Sequence, residues 1–491
     1  MPAVDCTSSP GAHTVTDGTV IEDVTLISPE RPAPLAHASV VIRDGRIAEI
    51  GTNIVAGQGA ARVDGRGRYL TPGLIDSHVH VGSMGPLDDG AIAAHPELLQ
   101  AYRAQLPRSY LAFGFTTLVD LNLSAGAREW FEAAPAHPNL YSAGRAVRVA
   151  GGYGAFGPIG NTTDAAAANV VYESTQAKNW PPSIDPRDFT PERAVARVVA
   201  AGGICVKVFV EPGMGGAAHW PVPSTATLAA LRAETRRGGL PLVVHANGVD
   251  AWRAAIGAHA DVLAHGLWHW PGDQLGTTPP REAVDVIQSA ARAGIRVQPT
   301  LQAVYGDQTI FDASILDDPR LLDVYPGALM TYLKGREAQK ARLAIADEYR
   351  QAIKGALGPA APDPARVMSI APARATATLR LMLQERVKLL FGTDTPSNEG
   401  IGNPPGLNGR LELARWAEAG APLAGLLRAA TLDNAVAFGL FRELGTIEVG
   451  KRADLLLLGA DPLKDVAAFD RVETVFVDGK PLSRASLLPA R

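Results

Sequence analysis

The chain is predicted to be an α/β protein, a (β/α)8 TIM-like barrel with a small β-sandwich domain built from both chain ends. Three observations carry this prediction. Eight short apolar runs alternate with helical stretches through the middle of the chain. The two ends share another texture, alternating runs punctuated by tight turns. His, Lys or Asp residues close five of the eight runs, at the strand ends where a parallel barrel keeps its chemistry.

Taken in order, residues 1–13 form a polar tail without the apolar stretch of an intact secretory signal. A mature end left after export would look the same, so both a cytoplasmic and a periplasmic or secreted location stay open. Residues 14–72 alternate apolar and polar positions, and Asp44-Gly45 marks a hairpin between two such segments. Residues 440–486 repeat this texture, which predicts one β domain assembled from 14–72 and 440–486. Between them, 73–439 carries the barrel, with strands over 74–80, 116–121, 140–147, 204–210, 241–246, 261–266, 295–300 and 387–393. Helical patterns such as 191–200 and 225–237 fill the gaps. The long interval 302–380 contains a charged amphipathic stretch and is read as a helical insertion, either a lid or external packing.

Composition narrows the function. The chain is 46% apolar and 20% charged with 50 glycines, which suits a large core and not a disordered chain. A net charge of −4 without a basic stripe argues against nucleic acid or an anionic membrane as partner. No apolar run is long enough to predict a transmembrane helix. Cys6 and Cys205 are too few and too different in context for a disulfide framework. A small-molecule substrate and a homo-oligomeric state are expected.

The strongest chemical signal is Leu70-Thr-Pro-Gly-Leu-Ile-Asp-Ser-His-Val-His80. Alternate residues of a strand point the same way, so one strand end delivers His78 and His80 to one place. Two buried imidazoles facing each other would be costly without a shared ion, which favours metal ligation. His245 in Val-Val-His-Ala and His265 in Leu-Ala-His-Gly repeat the grammar on two successive strands. Asp394, closing Leu-Phe-Gly-Thr-Asp, adds a carboxylate, with capping of the next segment as its plain alternative. Lys207 interrupts the apolar run Ile204-Cys-Val-Lys-Val-Phe-Val. It is either a lysine snorkelling at a strand end or a neutral amine that captures carbon dioxide. A carbamate there would bridge two divalent metals, most simply Zn²⁺, with room for a shared hydroxide.

With these segments, the chain resembles the amidohydrolase superfamily, and within it the imidazolonepropionase-like and zinc prolidase-like group. Further matching segments are Gly114-Phe-Thr-Thr-Leu-Val-Asp, Gly392-Thr-Asp-Thr, Ala429-Ala-Thr-Leu-Asp-Asn-Ala and Gly445-Thr-Ile-Glu-Val-Gly-Lys-Arg-Ala-Asp-Leu. The resemblance implies that His78, His80 and Asp394 hold the more buried metal and His245 and His265 the more exposed one. It also implies that carbamylated Lys207 bridges them. One position departs: the group's Gly-Gly-His-Gly is Gly151-Gly-Tyr-Gly154 here. Tyr153 is either an oxyanion donor or a pocket wall.

The activity expected is hydrolysis of a carbon–nitrogen bond, with attack by a metal-bridging hydroxide and Asp394 as the proton carrier. The substrate expected is a small, largely apolar or aromatic amide such as an N-acyl amino acid or dipeptide. Tyr153, Phe156, Trp220, Trp268 and Trp270 fall in loops after the strands and suggest an apolar pocket, unless they only pack the loops. Arg145 and Arg148 would suit a carboxylate clamp, but surface placement is the favoured expectation. His219, His259 and His269 lie outside the pattern. The alternatives are hydrolysis of a lactone, ester or carbamate at the same site, a non-hydrolytic activity, and an inactive scaffold; the last would be expected to lack the ligands.

Overall fold

The structure is a computed structural model that describes residues 13–154, 159–213, 219–273, 275–396 and 400–490. Eight parallel strands run through its middle: β1 (Leu74–Val79), β2 (Phe115–Asp120), β3 (Asn139–Ser142), β4 (Val206–Phe209), β5 (Leu242–His245), β6 (Val262–Ala264), β7 (Arg296–Gln298) and β8 (Lys388–Leu389). They form a three-stranded sheet, β3-β2-β1, and a five-stranded sheet, β4-β5-β6-β7-β8. Backbone hydrogen bonds cross both joins. Ile204 N–H donates to Ser142 O at 2.8 Å and Val147 N–H to Lys207 O at 2.7 Å. At the other join, Ser77 N–H donates to Phe391 O, Asp394 N–H to His78 O and His80 N–H to Thr395 O.

β1, β2 and β5 are buried on both faces, which explains why they read as continuous apolar runs. Ile75, Val119, Leu121, Cys205, Val243, Val262 and Leu390 share one core cluster, with side chains drawn from both sheets. The helices between strands are amphipathic and capped as their sequences dictate. In Pro191–Ala200, Thr190 accepts from Arg193 N–H and the buried side is Ala194, Val195 and Val198. In Arg281–Ala293, Ala283, Val286, Ile287 and Ala290 turn inward, and Gly294 (φ +69°) ends the helix in the left-handed conformation that glycine adopts without strain.

The two chain ends meet in one mixed sheet. Its order is Lys480–Ser483, Val472–Val477, Leu455–Leu458, Tyr69–Pro72, Thr19–Leu26, Leu35–Arg43 and Arg46–Gly51. The strand Thr19–Leu26 pairs on one side first with Ala61–Asp64 and then with Tyr69–Pro72. Changing neighbours requires a break, which falls at Asp23 (φ 57°), and both halves of the sheet then face one core containing Ile21, Val40, Leu455 and Phe476. The expected sandwich is therefore a single hydrogen-bonded sheet, bent at this strand. Asp44 and Gly45 form the hairpin their sequence predicts, both at positive φ.

Between β7 and β8 the chain is helical: Leu301–Asp307, Gly327–Lys334, Arg336–Leu357, Pro364–Met368 and Ile370–Gln384. Tyr332, Leu333, Ala338 and Arg342 of this segment face Gly85, Pro86 and Asp88, which follow β1, and Ile401, which follows β8. The helical segment thus contacts the loops at the carboxyl ends of the strands. No helix among the described residues is long and apolar enough to cross a membrane.

Candidate metal centre

At the carboxyl end of β1, His78 and His80 both aim Nε2 at the same oxygen. Asp394 Oδ1 lies 3.1 Å from His78 Nε2 and 2.9 Å from His80 Nε2. His265, following β6, joins them: its ring centroid is 5.0 Å from that of His78, and Nδ1 lies 3.9 Å from Asp394 Oδ2. His245, ending β5, packs edge-on against His265 with centroids 4.5 Å apart. His78, His265 and Asp394 each offer a ligand atom within 4.8 Å of the others.

Local backbone makes this convergence possible. His265 (φ 85°) and Asp394 (φ 62°) sit in the left-handed region, a costly conformation for side-chain-bearing residues that turns each strand end toward the centre. Gly392 lets β8's extension pass close to β1, since a Cβ there would lie 2.8 Å from His78 Cβ. Gly392→Ala is expected to push His78 aside and lower metal affinity roughly 10–100-fold, as measured by metal content after dialysis against a weak chelator.

The electrostatics of Asp394 and His78 agree with a cation-binding role. Burial would raise the Asp394 carboxyl, but His78 and His265 hold it well below the usual range, so it is ionised. Burial, followed by the charge of Lys207, draws His78 down to about 3, leaving it neutral and able to ligate. Burial also lowers His80, but the carboxylates of Asp120 and Asp394 more than offset it and hold it up at about 9. Lys207 is 1% exposed, and burial pulls its amine down to about 7. Nδ1 of His78 is buried without a hydrogen bond and Nε2 has only Asp394 Oδ1 at 3.1 Å beside it, a state that an ion would relieve. The donor set therefore fits divalent metal.

Several partners of these residues went unnoticed in the sequence. Asp76 Oδ2 accepts from Thr393 Oγ1 at 2.6 Å and Oδ1 from the N–H groups of His78 and Thr393, clamping β1 to the extension of β8. Asp120 lies behind His80, its Oδ1 3.8 Å from Nδ1. Glu211 Oε2 is 3.3 Å from His245 Nε2, and its Oε1 accepts from Gly213 N–H. Thr300 Oγ1 is 3.0 Å from His265 Nδ1. Such contacts fix which nitrogen of each ring is left to ligate. The available signal was a carboxylate closing an apolar run, as in Phe-Thr-Thr-Leu-Val-Asp120 and Val-Phe-Val-Glu211.

Of the aromatic residues, Tyr153 stacks on His245 (5.1 Å), Trp220 packs on Tyr153 (5.5 Å) and Trp268 lies 5.7 Å from His265. Trp270 instead sits beneath the Arg374 guanidinium at 4.1 Å, and Phe156 lies outside the described residues. His219 and His259 are exposed, and His269 is half-buried beside Trp268. Surface placement fails for Arg148, which is 6% exposed. β3 ends at Ser142, Val147 N–H then donates to Lys207 O, and Arg148 opens a second short strand, Arg148–Val149, whose residues are buried against Val170–Val171. Arg145 is half-buried.

The amidohydrolase family model matches residues 69–482, most of the chain. The chain belongs to the amidohydrolase family. Members of this family are hydrolases of carbon–nitrogen bonds and generally use divalent metal ions, in keeping with the His/Asp cluster. Among solved structures, the chain is similar to a Xaa-Pro dipeptidase with bound methionine, at 20% identity and a TM-score of 0.63 over 95% of this chain and 99% of that one. Molinate hydrolase is similar at 21% identity and 0.63 over 96% of each chain. At these identities the likeness establishes the fold alone. The N-acyl-D-aspartate deacylase of Alcaligenes xylosoxydans xylosoxydans is 39% identical over 66 residues, 13% of this chain and only 12% of that protein's length.

Proposed function

We propose that this amidohydrolase is a binuclear-metal enzyme that hydrolyses the amide bond of a small, largely apolar or aromatic substrate, such as an N-acyl amino acid or dipeptide. The observation that carries the reading is the convergence of His78, His80, His245, His265 and Asp394 around one buried point, with the amine of Lys207 beside them. The two parallel sheets are read as one closed barrel, on the strength of the hydrogen bonds crossing both joins. The terminal strands, 14–72 and 440–486, are read as a separate domain and the 302–380 helices as a lid over the mouth.

His78, His80 and Asp394 would hold one ion and His245 and His265 the other. The neutral amine of Lys207 would add carbon dioxide and release one proton, and the carbamate so formed would help hold the ions. When bound, two divalent cations, most simply zinc, supply Lewis acidity toward a carbonyl oxygen and acidify water. Asp394 takes the proton from the attacking water and delivers it to the leaving nitrogen. Glu211 and Thr300 keep the rings of His245 and His265 in place. Tyr153, stacked on His245, donates its phenol hydrogen to the carbonyl oxygen as negative charge develops there, and burial keeps that phenol protonated by raising its pKa.

The direct test is a mass-spectrometric screen of zinc-loaded protein against N-acyl amino acids, Xaa-Pro dipeptides, aryl amides, carbamates and lactones. Amide cleavage that disappears on chelation and returns with zinc is the expected result. Cleavage confined to lactones or carbamates would move the reading to a carbon–oxygen or carbamate bond. No hydrolysis of any class by fully metallated protein would sink it.

A further inference from the structure

Three arginines are buried among the described residues, and they are compensated differently. Arg410 forms a two-pronged pair with Asp470, at 2.8 and 2.7 Å. Arg374 donates to three backbone carbonyls, those of Gly276, Trp268 and Asp273, and covers the ring of Trp270. Among the described residues, Arg148 donates only to Gly154 O at 2.6 Å and Asn122 Oδ1 at 2.9 Å. Its Nε is buried without an acceptor, and no described carboxylate lies within ion-pair distance. A buried guanidinium left in this state is costly unless an anion arrives to complete it.

Its position says where that anion would sit. The Arg148 guanidinium lies over the ring of Phe209, 5.4 Å from its centroid. Phe209 follows Lys207 by two residues on β4, so both side chains leave the same face of the strand. The Phe209 ring is in turn 5.4 Å from His245 and 5.3 Å from Tyr153. One aromatic ring therefore separates the guanidinium from the edge of the metal centre. Arg145 reinforces the charge: its half-buried side chain has no hydrogen bond or ion pair with any described residue. The acid nearest to it in electrostatic influence, Asp120, is already engaged by the N–H groups of Val81 and Asn122. Burial, and then Arg145, draws Arg148 down to about 10, so it remains cationic at neutral pH.

We infer that Arg148, with its Nε–H and the adjacent free Nη hydrogen, binds a carboxylate carried by the substrate a few bonds from the scissile amide, with Arg145 adding to the attraction. The inference rests on the proposed hydrolytic site and narrows its substrates to carboxylate-bearing amides, of which N-acyl amino acids are the simplest. A guanidinium edge and a carboxylate are matched in plane and spacing, whereas a primary amide offers one acceptor and a repelling N–H₂ group.

The test compares N-acetyl-L-phenylalanine with its primary amide. Binding is measured by calorimetry on zinc-loaded protein carrying Asp394→Asn, so that turnover does not obscure it, and hydrolysis is measured separately on the native chain. Tighter binding of the acid is expected. Adding Arg148→Gln, which retains donors for Gly154 and Asn122, should shrink the acid-to-amide ratio roughly 10- to 100-fold. Arg148→Lys should restore part of it, and Arg145→Met should reduce it less. A purely structural arginine would lower both affinities together and leave the ratio unchanged, which overturns the inference, as would equal or absent binding of both probes to the parent. An Arg148-dependent preference for the acid without hydrolysis of either probe would leave the anion site standing and count against the hydrolytic reading.

Discussion

Replacing Lys207 with alanine is expected to remove both metal affinity and activity, leaving the fold intact. The residue is 1% exposed, in the middle of β4, with its amine drawn to about 7 by burial. Its amine has no hydrogen bond or ion pair with any described residue, and the centroid of the Phe209 ring lies 5.8 Å from Nζ. A lysine whose only role was snorkelling would carry its amine to water, and this one does not. Replacing it should therefore relieve an unfavourable burial and raise thermal stability in metal-free protein. If the amine is carboxylated and shared by both ions, the alanine variant loses a ligand to each. The loss in metal affinity should exceed the roughly 10–100-fold that follows from removing a partner of a ligand. Elemental analysis after dialysis, set beside the thermal unfolding midpoint of the metal-free forms, separates the two roles. Short carboxylates such as formate or acetate should restore part of both metal uptake and turnover in Lys207→Ala. Native metal content in the variant would return Lys207 to the core.

The histidines of this site were legible because strand geometry is local. An i, i+2 pair such as His78 and His80 must share a face whatever the rest of the chain does, and a ligand closing an apolar run must lie at a strand end. The Asp44-Gly45 hairpin was legible for the same reason. What the sequence withheld depends on contacts between distant segments. Asp76 reads as one more polar residue before His78, and its bonds to Thr393 exist only because β8's extension lies against β1. Glu211 and Thr300 are placed by loops that no periodicity describes. Arg148 was expected at the surface; the structure ends one strand at Ser142 and opens a second, two-residue strand at Arg148, which is buried. In each case the surroundings of the side chain were set by segments tens to hundreds of residues away.

Asp394→Asn is expected to bind metal and to lose most turnover. In the proposed reaction its two oxygens have separable duties. Oδ1 faces both His78 Nε2 and His80 Nε2, the place of a ligand atom, while Oδ2 faces the His265 side, 3.9 Å from its Nδ1. Asparagine keeps a carbonyl oxygen for the first duty but replaces the second acceptor with an N–H₂ group that cannot take a proton. Asp394 N–H donates to His78 O at 2.7 Å, so the backbone, and with it the left-handed turn at φ 62°, does not depend on the side chain. The geometry of the cluster should survive. The rate should fall by roughly 10²–10⁴-fold, the range for a positioned general acid–base group, with metal content reduced far less than in Lys207→Ala. The decisive measurement is kcat at saturating zinc. A variant that regains near-native kcat once metal is in excess would make Asp394 a ligand alone, and the proton would then need another carrier. Glu211 would be the first to examine, since its carboxylate already lies 3.3 Å from His245 Nε2.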